Sequence, residues 1–421
     1  MIELIELLPG VELRCCRDGR FKQGCLSFQF VRPMNGDEAA LNALLPSVLL
    51  RGTDAHPTLR AITEHLDTLY GASVSTLVRR IGDYQTTGLY CGFMDDRFAL
   101  PGDRVLAPMV DFLEELLLDS PLKDGAFLPE FVEGEKKNLI ATIESELNDK
   151  RAYAMGRLLK TMCRKDTFGL PRLGEKEQVA AIQPNQLYRH YRKILRESRI
   201  EVFYVGSAPA EDLRELLMPL VSKLDRSYVN LPAQTPFSDT EGCHISEEMD
   251  VSQGKLCMGF NTPITNRDKE FPAMQLMNTI FGAGMTSKLC MNVREKLSLC
   301  YNVGSGYYGT KGIVTVSAGI DFDKEEQTRE EILRQLAACQ DGQITPEELT
   351  AAKESVLSSL RSTHDTPGAI EGYYATAALS GLAMSPDEYM NAIEAVTLEQ
   401  VAAAARTVKL HSSFFLKGVS Q

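Results

Sequence analysis

The sequence predicts an α+β protein of two homologous domains, each a mainly antiparallel sheet packed against helices. Three observations carry this. From Gly24 to Pro33 the chain reads GCLSFQFVRP, and 230 positions later, from Gly254 to Pro263, it reads GKLCMGFNTP. The leading glycines, Leu26/Leu256, Phe30/Phe260 and Pro33/Pro263 stay in step, and Gly52 matches Gly282 at the same offset. Pro129-Glu130 and Pro346-Glu347 each head a helical pattern, with Lys136 and Lys353 seven residues beyond their prolines. AIQPNQL at 181–187 is echoed by AVTLEQV at 395–401. Echoes in one order over such a span indicate two copies of a domain rather than a short-period solenoid.

The elements follow the same order in each half. Residues 11–16 alternate and read as a strand. Residues 25–31 and 256–260, rich in Phe and bounded by Gly and Pro, read as strands too. Helices follow at 37–51 and 270–281. Alternating segments at 73–78, 86–93 and 313–320 supply further strands, and amphipathic helices are expected at 105–118, 130–147, 325–339 and 346–362. Short strands at 200–205 and 412–416 close the halves. Strands followed by clustered helices are the α+β pattern. Pro232, Pro236, Ser238, Asp239 and Thr240 interrupt any period across 226–242. That stretch is the expected linker between an N-terminal domain, 1–225, and a C-terminal domain, 243–421.

Composition narrows the function classes. A chain of 421 residues suits two domains of roughly 200 residues each. Its net charge of −12 argues against nucleic acid as a general partner. No apolar run reaches the length of a membrane span, and the start MIELIELLPG is too acidic for a secretory signal. Ten cysteines without a C-x-x-C read as reduced thiols, so a cytoplasmic protein is expected.

Residues 282–301, GAGMTSKLCMNVREKLSLCY, resemble the G-x-G-M-[ST]-S-[RK]-L, V-R-E-K and Tyr signature of the insulinase/pitrilysin family of inverted zincin peptidases, in its two-domain bacterial form. FGLPRLGEKE at 168–177, Arg51-Gly52-Thr53 and Gly71-Ala72 are similar to family segments in the same order. The resemblance covers nearly the whole chain and implies a metallopeptidase-like duplicated fold. In active members it also implies zinc held by H-x-x-E-H on the first helix and by a later Glu. The motif's own Glu activates a metal-bound water.

Counted back from Gly52, the two His positions fall on Ala43 and Ser47, and the catalytic Glu position on Pro46. Taking Glu135-Lys136-Lys137 as the family's E-R-x puts the later ligand on Thr142, with Glu144 as the alternative. A methyl group, a pyrrolidine ring and a hydroxyl cannot hold zinc. No catalytic residue, metal or cofactor is therefore expected in this chain. Pro46 should also kink or restart its helix. Glu64-His65 mimics the end of such a motif but follows Gly52-Thr53, with Ala61 in the first His place, and reads as a solvated helix face. His56, His190, His244, His364 and His411 have no companion at ligand spacing and read as surface or capping residues.

Arg294 and Tyr301 remain, and the resemblance implies that they bind substrate backbone. A guanidinium fork and a phenol both donate to peptide carbonyls. The plain alternative pairs Arg294 with Glu295 or another carboxylate and puts Tyr301 in the core. Gly282 and Gly284 permit a tight turn or close approach to a peptide. Lys288 is preceded by Ser287, so the segment is no phosphate loop. Two readings follow. One is a non-catalytic, peptide-binding subunit of a heterodimeric zinc metallopeptidase, inactive alone, whose homologous partner carries the zinc. The other is a homodimeric peptide-binding scaffold without proteolytic role. Neither involves nucleic acid or membrane.

Overall fold

The repeated Gly-Phe-Pro segments form the middle strands of two sheets in the computed structural model, which describes residues 2–419. In the first half lie β1 (Ile2–Leu8), β2 (Val11–Arg17), β3 (Gln23–Pro33), β4 (Ser73–Ile81), β5 (Tyr84–Met94), the isolated pair β6 (Leu122–Lys123) and β7 (Ala126–Phe127), and β8 (Arg199–Gly206). One sheet has the order β1-β2-β8-β3-β5-β4. The second half supplies β9 (His244–Met249), β10 (Gly254–Asn261), β11 (Cys300–Tyr308), β12 (Ile313–Ile320) and β13 (Lys409–Gly418), in the order β11-β12-β10-β13-β9.

The pairing repeats as well as the sequence. β3 lies antiparallel between β5 and β8, and β8 runs parallel to β2. β10 lies antiparallel between β12 and β13, and β13 runs parallel to β9. Gly24 and Gly254 are both crowded by neighbouring strands, Gly24 by β8 and Gly254 by β12 and by the Phe415 ring of β13, 2.8 Å from a Cβ placed there. A Cβ on Gly24 would sit 3.0 Å from the Val205 carbonyl, and one on Gly254 3.1 Å from that of Ile320. The other two echoes touch each other. Lys136 Nζ donates to Ile182 O at 3.0 Å, and Lys353 Nζ to Glu394 O at 2.7 Å. Each lysine clamps the chain just ahead of a helix, Pro184–Glu197 in one case and Leu398–Arg406 in the other.

The helices that matter for the site are α1 (Ala39–Leu49), α2 (Leu59–Thr68), α3 (Leu106–Leu118), α4 (Pro129–Asn148) and α5 (Lys150–Met162). The described residues form two units. Unit 1 is Met1–Glu144, Pro171–Ala233 and His364–Ala375; unit 2 is Ser145–Leu170, Gln234–Thr363 and Thr376–Gln421. The chain passes from unit 1 to unit 2 after Ala233, and each unit also takes a segment from the other half of the sequence.

Those borrowed segments bury the second face of each sheet. In unit 1, Leu26, Phe28 and Phe30 of β3 join Leu44, Leu45 and Val48 of α1 and Leu113 of α3 in the core. The opposite face carries Ser27 and Gln29, both bonded at 2.8–3.0 Å within a cluster around Glu371 of helix Pro367–Ser380. Arg79 closes that cluster on Glu371 at 2.9 Å, and the carboxylate is fully buried. In unit 2, Cys257, Phe414 and Leu416 pack on Ala154 and Leu158 of α5. Lys311, fully buried, pairs with Asp166 just beyond that helix at 2.8 Å. β10, buried on both faces, reads as a near-continuous apolar run, whereas β3 keeps polar Ser27 and Gln29 on its second face.

Candidate functional site

Helix α1 is where a metal motif would stand. Every residue of it is buried except Ser47. Ala43 is 3% exposed and belongs to the core of unit 1. The helix continues across Pro46 without the restart expected there, and Leu50 N–H still donates to Pro46 O at 3.1 Å. The reason is local. Proline offers no N–H to the carbonyl four residues back. That carbonyl, Asn42 O, instead accepts from Thr87 Oγ1 of β5 at 2.6 Å.

Around Asn42 the polar groups close on one another. Its amide donates to Gln85 Oε1 at 2.8 Å, and Gln85 Nε2 donates to Ala39 O and Arg172 O. Asn42 Oδ1 is left to accept, so His190 Nε2, 2.7 Å away, carries the proton. His190 is buried and not the surface or capping residue expected. Burial pushes its imidazole down to about 4, so it is neutral near pH 7. Thr142 on α4 is exposed and returns its hydroxyl to Asn138 O at 3.0 Å, while Glu144 pairs with Lys176.

Other histidines meet in space rather than in sequence. The rings of His56 and His65 lie 4.5 Å apart, both against Phe112. His56 Nδ1 is 2.7 Å from Glu115 Oε1, which also bonds Thr53 Oγ1. This ties the turn after α1 to α3. Among the described residues no three His, Cys, Asp or Glu side chains are disposed to hold a metal ion. With a methyl, a ring and hydroxyls at the motif positions, the donor set does not fit zinc.

Unit 2 holds a different kind of site. Helix Phe271–Asn278 runs into a π-type turn, Thr279–Ala283, closed by Gly284 N–H on Thr279 O at 3.3 Å. A second π-helical run, Leu289–Lys296, ends with Leu297 N–H on Asn292 O at 3.1 Å. Turns of this type cluster at functional positions. A Cβ on Gly282 would lie 2.7 Å from Leu289 Cδ1 and Ser305 Oγ, whereas Gly284 has nothing closer than 3.5 Å. Close approach to β11 thus demands glycine at 282 alone. Ser298, left-handed at φ 49°, turns the chain into β11.

That route brings Arg294 and Tyr301 to one pocket of about 370 Å³, with Asp321 and Lys324. Tyr301 is 60% exposed, not core, and donates to Asp321 Oδ1 at 2.8 Å. The hydrogen bond to that carboxylate raises the phenol's pKa. Arg294 has Glu295 3.5 Å from Nε, the plain pairing, yet its side chain stays 41% exposed. It also lines a cleft of about 700 Å³ with Gly282, Gly284, the edge strand β11 and the first turns of α5. Ser305 and Tyr307 of β11 bond toward Asn278 and Ile264. By strand alternation Asn302, Gly304 and Gly306 face the other way. Arg151 and Met155 of α5 line the cleft as well. Sequence reasoning missed Arg151, because nothing in a helical pattern tells which sheet the helix will cover.

The peptidase M16 inactive domain is matched by residues 181–356. Over 97% of its length the chain is 29% identical to YmfF of Bacillus subtilis (strain 168), described as a probable inactive metalloprotease, and it covers 96% of that protein. A conserved protein from Enterococcus faecalis V583 superposes with a TM-score of 0.93 at 27% identity, over 100% of this chain and 99% of that one. A peptidase M16 inactive domain from Pseudomonas fluorescens superposes with a TM-score of 0.81 at 17% identity, over 100% of this chain and 98% of that one, a likeness of fold. No helix among the described residues is long and apolar enough to cross a membrane. The match of residues 181–356 to the peptidase M16 inactive domain and the similarity along the whole chain to a probable inactive metalloprotease agree with the insulinase/pitrilysin resemblance of the sequence, and Ala43, Pro46 and Ser47 stand where that resemblance places the zinc motif.

Proposed function

We propose that this chain is the non-catalytic, peptide-binding subunit of a heterodimeric zinc metallopeptidase. A homologous partner supplies the zinc, and this chain supplies Arg294 and Tyr301. One contrast carries the reading: none of the metal positions holds a zinc-binding side chain, with Ala43 and Pro46 packed in the core, while Arg294 and Tyr301 stand exposed in one pocket. The unpaired edge of β11 adjoins them, with glycines that let another backbone come close. An extended peptide can add to such an edge through main-chain hydrogen bonds. In unit 1, β4 offers a second free edge directly after Gly71-Ala72.

The purified chain alone is expected to bind no zinc by plasma emission analysis and to cleave no peptide. Co-expression with a zinc-bearing homologue from the same host should restore hydrolysis. Arg294→Ala should then lower kcat/KM about tenfold, the worth of one charge-assisted hydrogen bond. Chelator-sensitive hydrolysis by the isolated chain would sink the proposal. A self-associated chain that binds peptide, yet activates no zinc-bearing homologue, would point instead to the homodimeric scaffold.

A further inference from the structure

We infer that the cleft of unit 2 selects its peptide by a carboxylate, gripped by Arg151 and Arg294. This rests on the peptide-binding reading above and adds the chemical class of the ligand.

The charge balance of the cleft points there. Its lining includes two arginines and one carboxylate, Asp149, in a chain whose net charge is −12. Asp149 is already engaged. Its Oδ1 accepts from Arg151 N–H at 2.9 Å and Ala152 N–H at 3.1 Å, capping α5, and those backbone bonds hold its carboxyl below the ordinary range. The Arg151 guanidinium is exposed and makes no hydrogen bond or ion pair among the described residues. Arg294 has only the loose Glu295 pairing. Lys255, beside the start of α5, adds to the positive field, and Arg151 is one of the charges that lower its pKa after burial.

The rest of the lining is uncharged: Gly304, Gly306, Thr315 and Ser317 on the sheet and Gly284 on the loop are small, and Met155, Met285 and Tyr308 are larger. Such a surface admits a main chain and supplies no counter-charge. Two donors without strong partners, on a surface otherwise neutral, favour a group with two acceptor oxygens. The planar guanidinium fork matches a carboxylate in a bidentate way. The carboxylate can be an Asp or Glu side chain of the added strand or the peptide's own C-terminus.

The full chain separates these by fluorescence anisotropy with labelled ten-residue extended peptides. One carries a central Glu and an amidated end, one a central Gln and an amidated end, and one a central Gln and a free C-terminal carboxylate. A carboxylate peptide should bind about tenfold tighter than the neutral one. Added salt should shrink that ratio. Arg151→Gln should bring the ratio close to one, and Arg151→Glu should invert it in favour of the neutral peptide. Whichever carboxylate peptide holds the advantage identifies the source. Equal affinities for all three peptides, or a ratio unmoved by Arg151→Gln, would overturn the inference and leave peptide binding standing. No binding by any peptide would sink both.

Discussion

Pro46 stands at the motif's catalytic-Glu position inside a helix that continues past it. An interior proline costs roughly 3 kcal/mol when its carbonyl partner is orphaned. Here Thr87 takes that carbonyl, so the cost is offset by a bond from the neighbouring sheet. Thr87→Val should therefore leave Asn42 O unsatisfied in the core and lower stability by about 1–3 kcal/mol in urea unfolding, with Thr87→Ser close to wild type. An unchanged midpoint for Thr87→Val would show that Asn42 O finds another donor. His190 makes a second test in the same cluster. Its folded pKa of about 4 lies below the ordinary 6.5, so the unfolded chain binds the extra proton between those values. The stability it contributes is complete above about pH 6.5 and falls by about 3 kcal/mol as the pH drops toward 4. Urea midpoints of the wild type should fall over this window more steeply than those of His190→Gln, and parallel profiles would contradict the assignment.

At the scale of elements, the two glycines of the 282–284 loop separate packing from freedom. Gly282→Ala drives a methyl to 2.7 Å from Leu289 and Ser305, and should cost about 1–3 kcal/mol as the helix and β11 move apart. Gly284→Ala meets nothing nearer than 3.5 Å and has an ordinary φ, so it should stay within about 0.5 kcal/mol of wild type. Equal losses, measured by urea denaturation, would mean that both positions need glycine for conformation. The same loop marks where sequence reading stops. The strand 313–320 and the helix 346–362 were legible to the residue, because turn residues bound them and their apolar spacing is unambiguous. The π-type turns were not, since an i→i+5 bond leaves no compositional trace. Nor was the burial of His190, which depends on Asn42 arriving from 148 residues away. Cys257 and Gly259 looked like part of one apolar run, and only α5 explains why that run is buried on both faces.

At the scale of the molecule, the duplicated sequence is not cut into two self-sufficient halves. Each unit completes itself with a helix encoded in the other half. Without Ser145–Leu170, unit 2 would expose Cys257, Phe414 and Leu416 along a flat sheet face, and Lys311 would lose Asp166 while remaining buried. Without His364–Ala375, unit 1 would lose Glu371, and with it the acceptor for Ser27, Gln29 and Arg79. Removing one partner of a buried ion pair typically costs about 3–5 kcal/mol, comparable to much of a domain's net stability. Fragments 1–233 and 234–421, each holding one full set of echoes, should therefore fail to fold when expressed separately. They should aggregate or bind a hydrophobic dye, with no cooperative melt. Co-expressed, they should associate, because 1–233 carries α5 and 234–421 carries Glu371. A fragment 234–421 that stays monomeric and unfolds cooperatively without dye binding would show that the outer face of its sheet tolerates water. The exchange of helices would then be incidental rather than what holds each unit together.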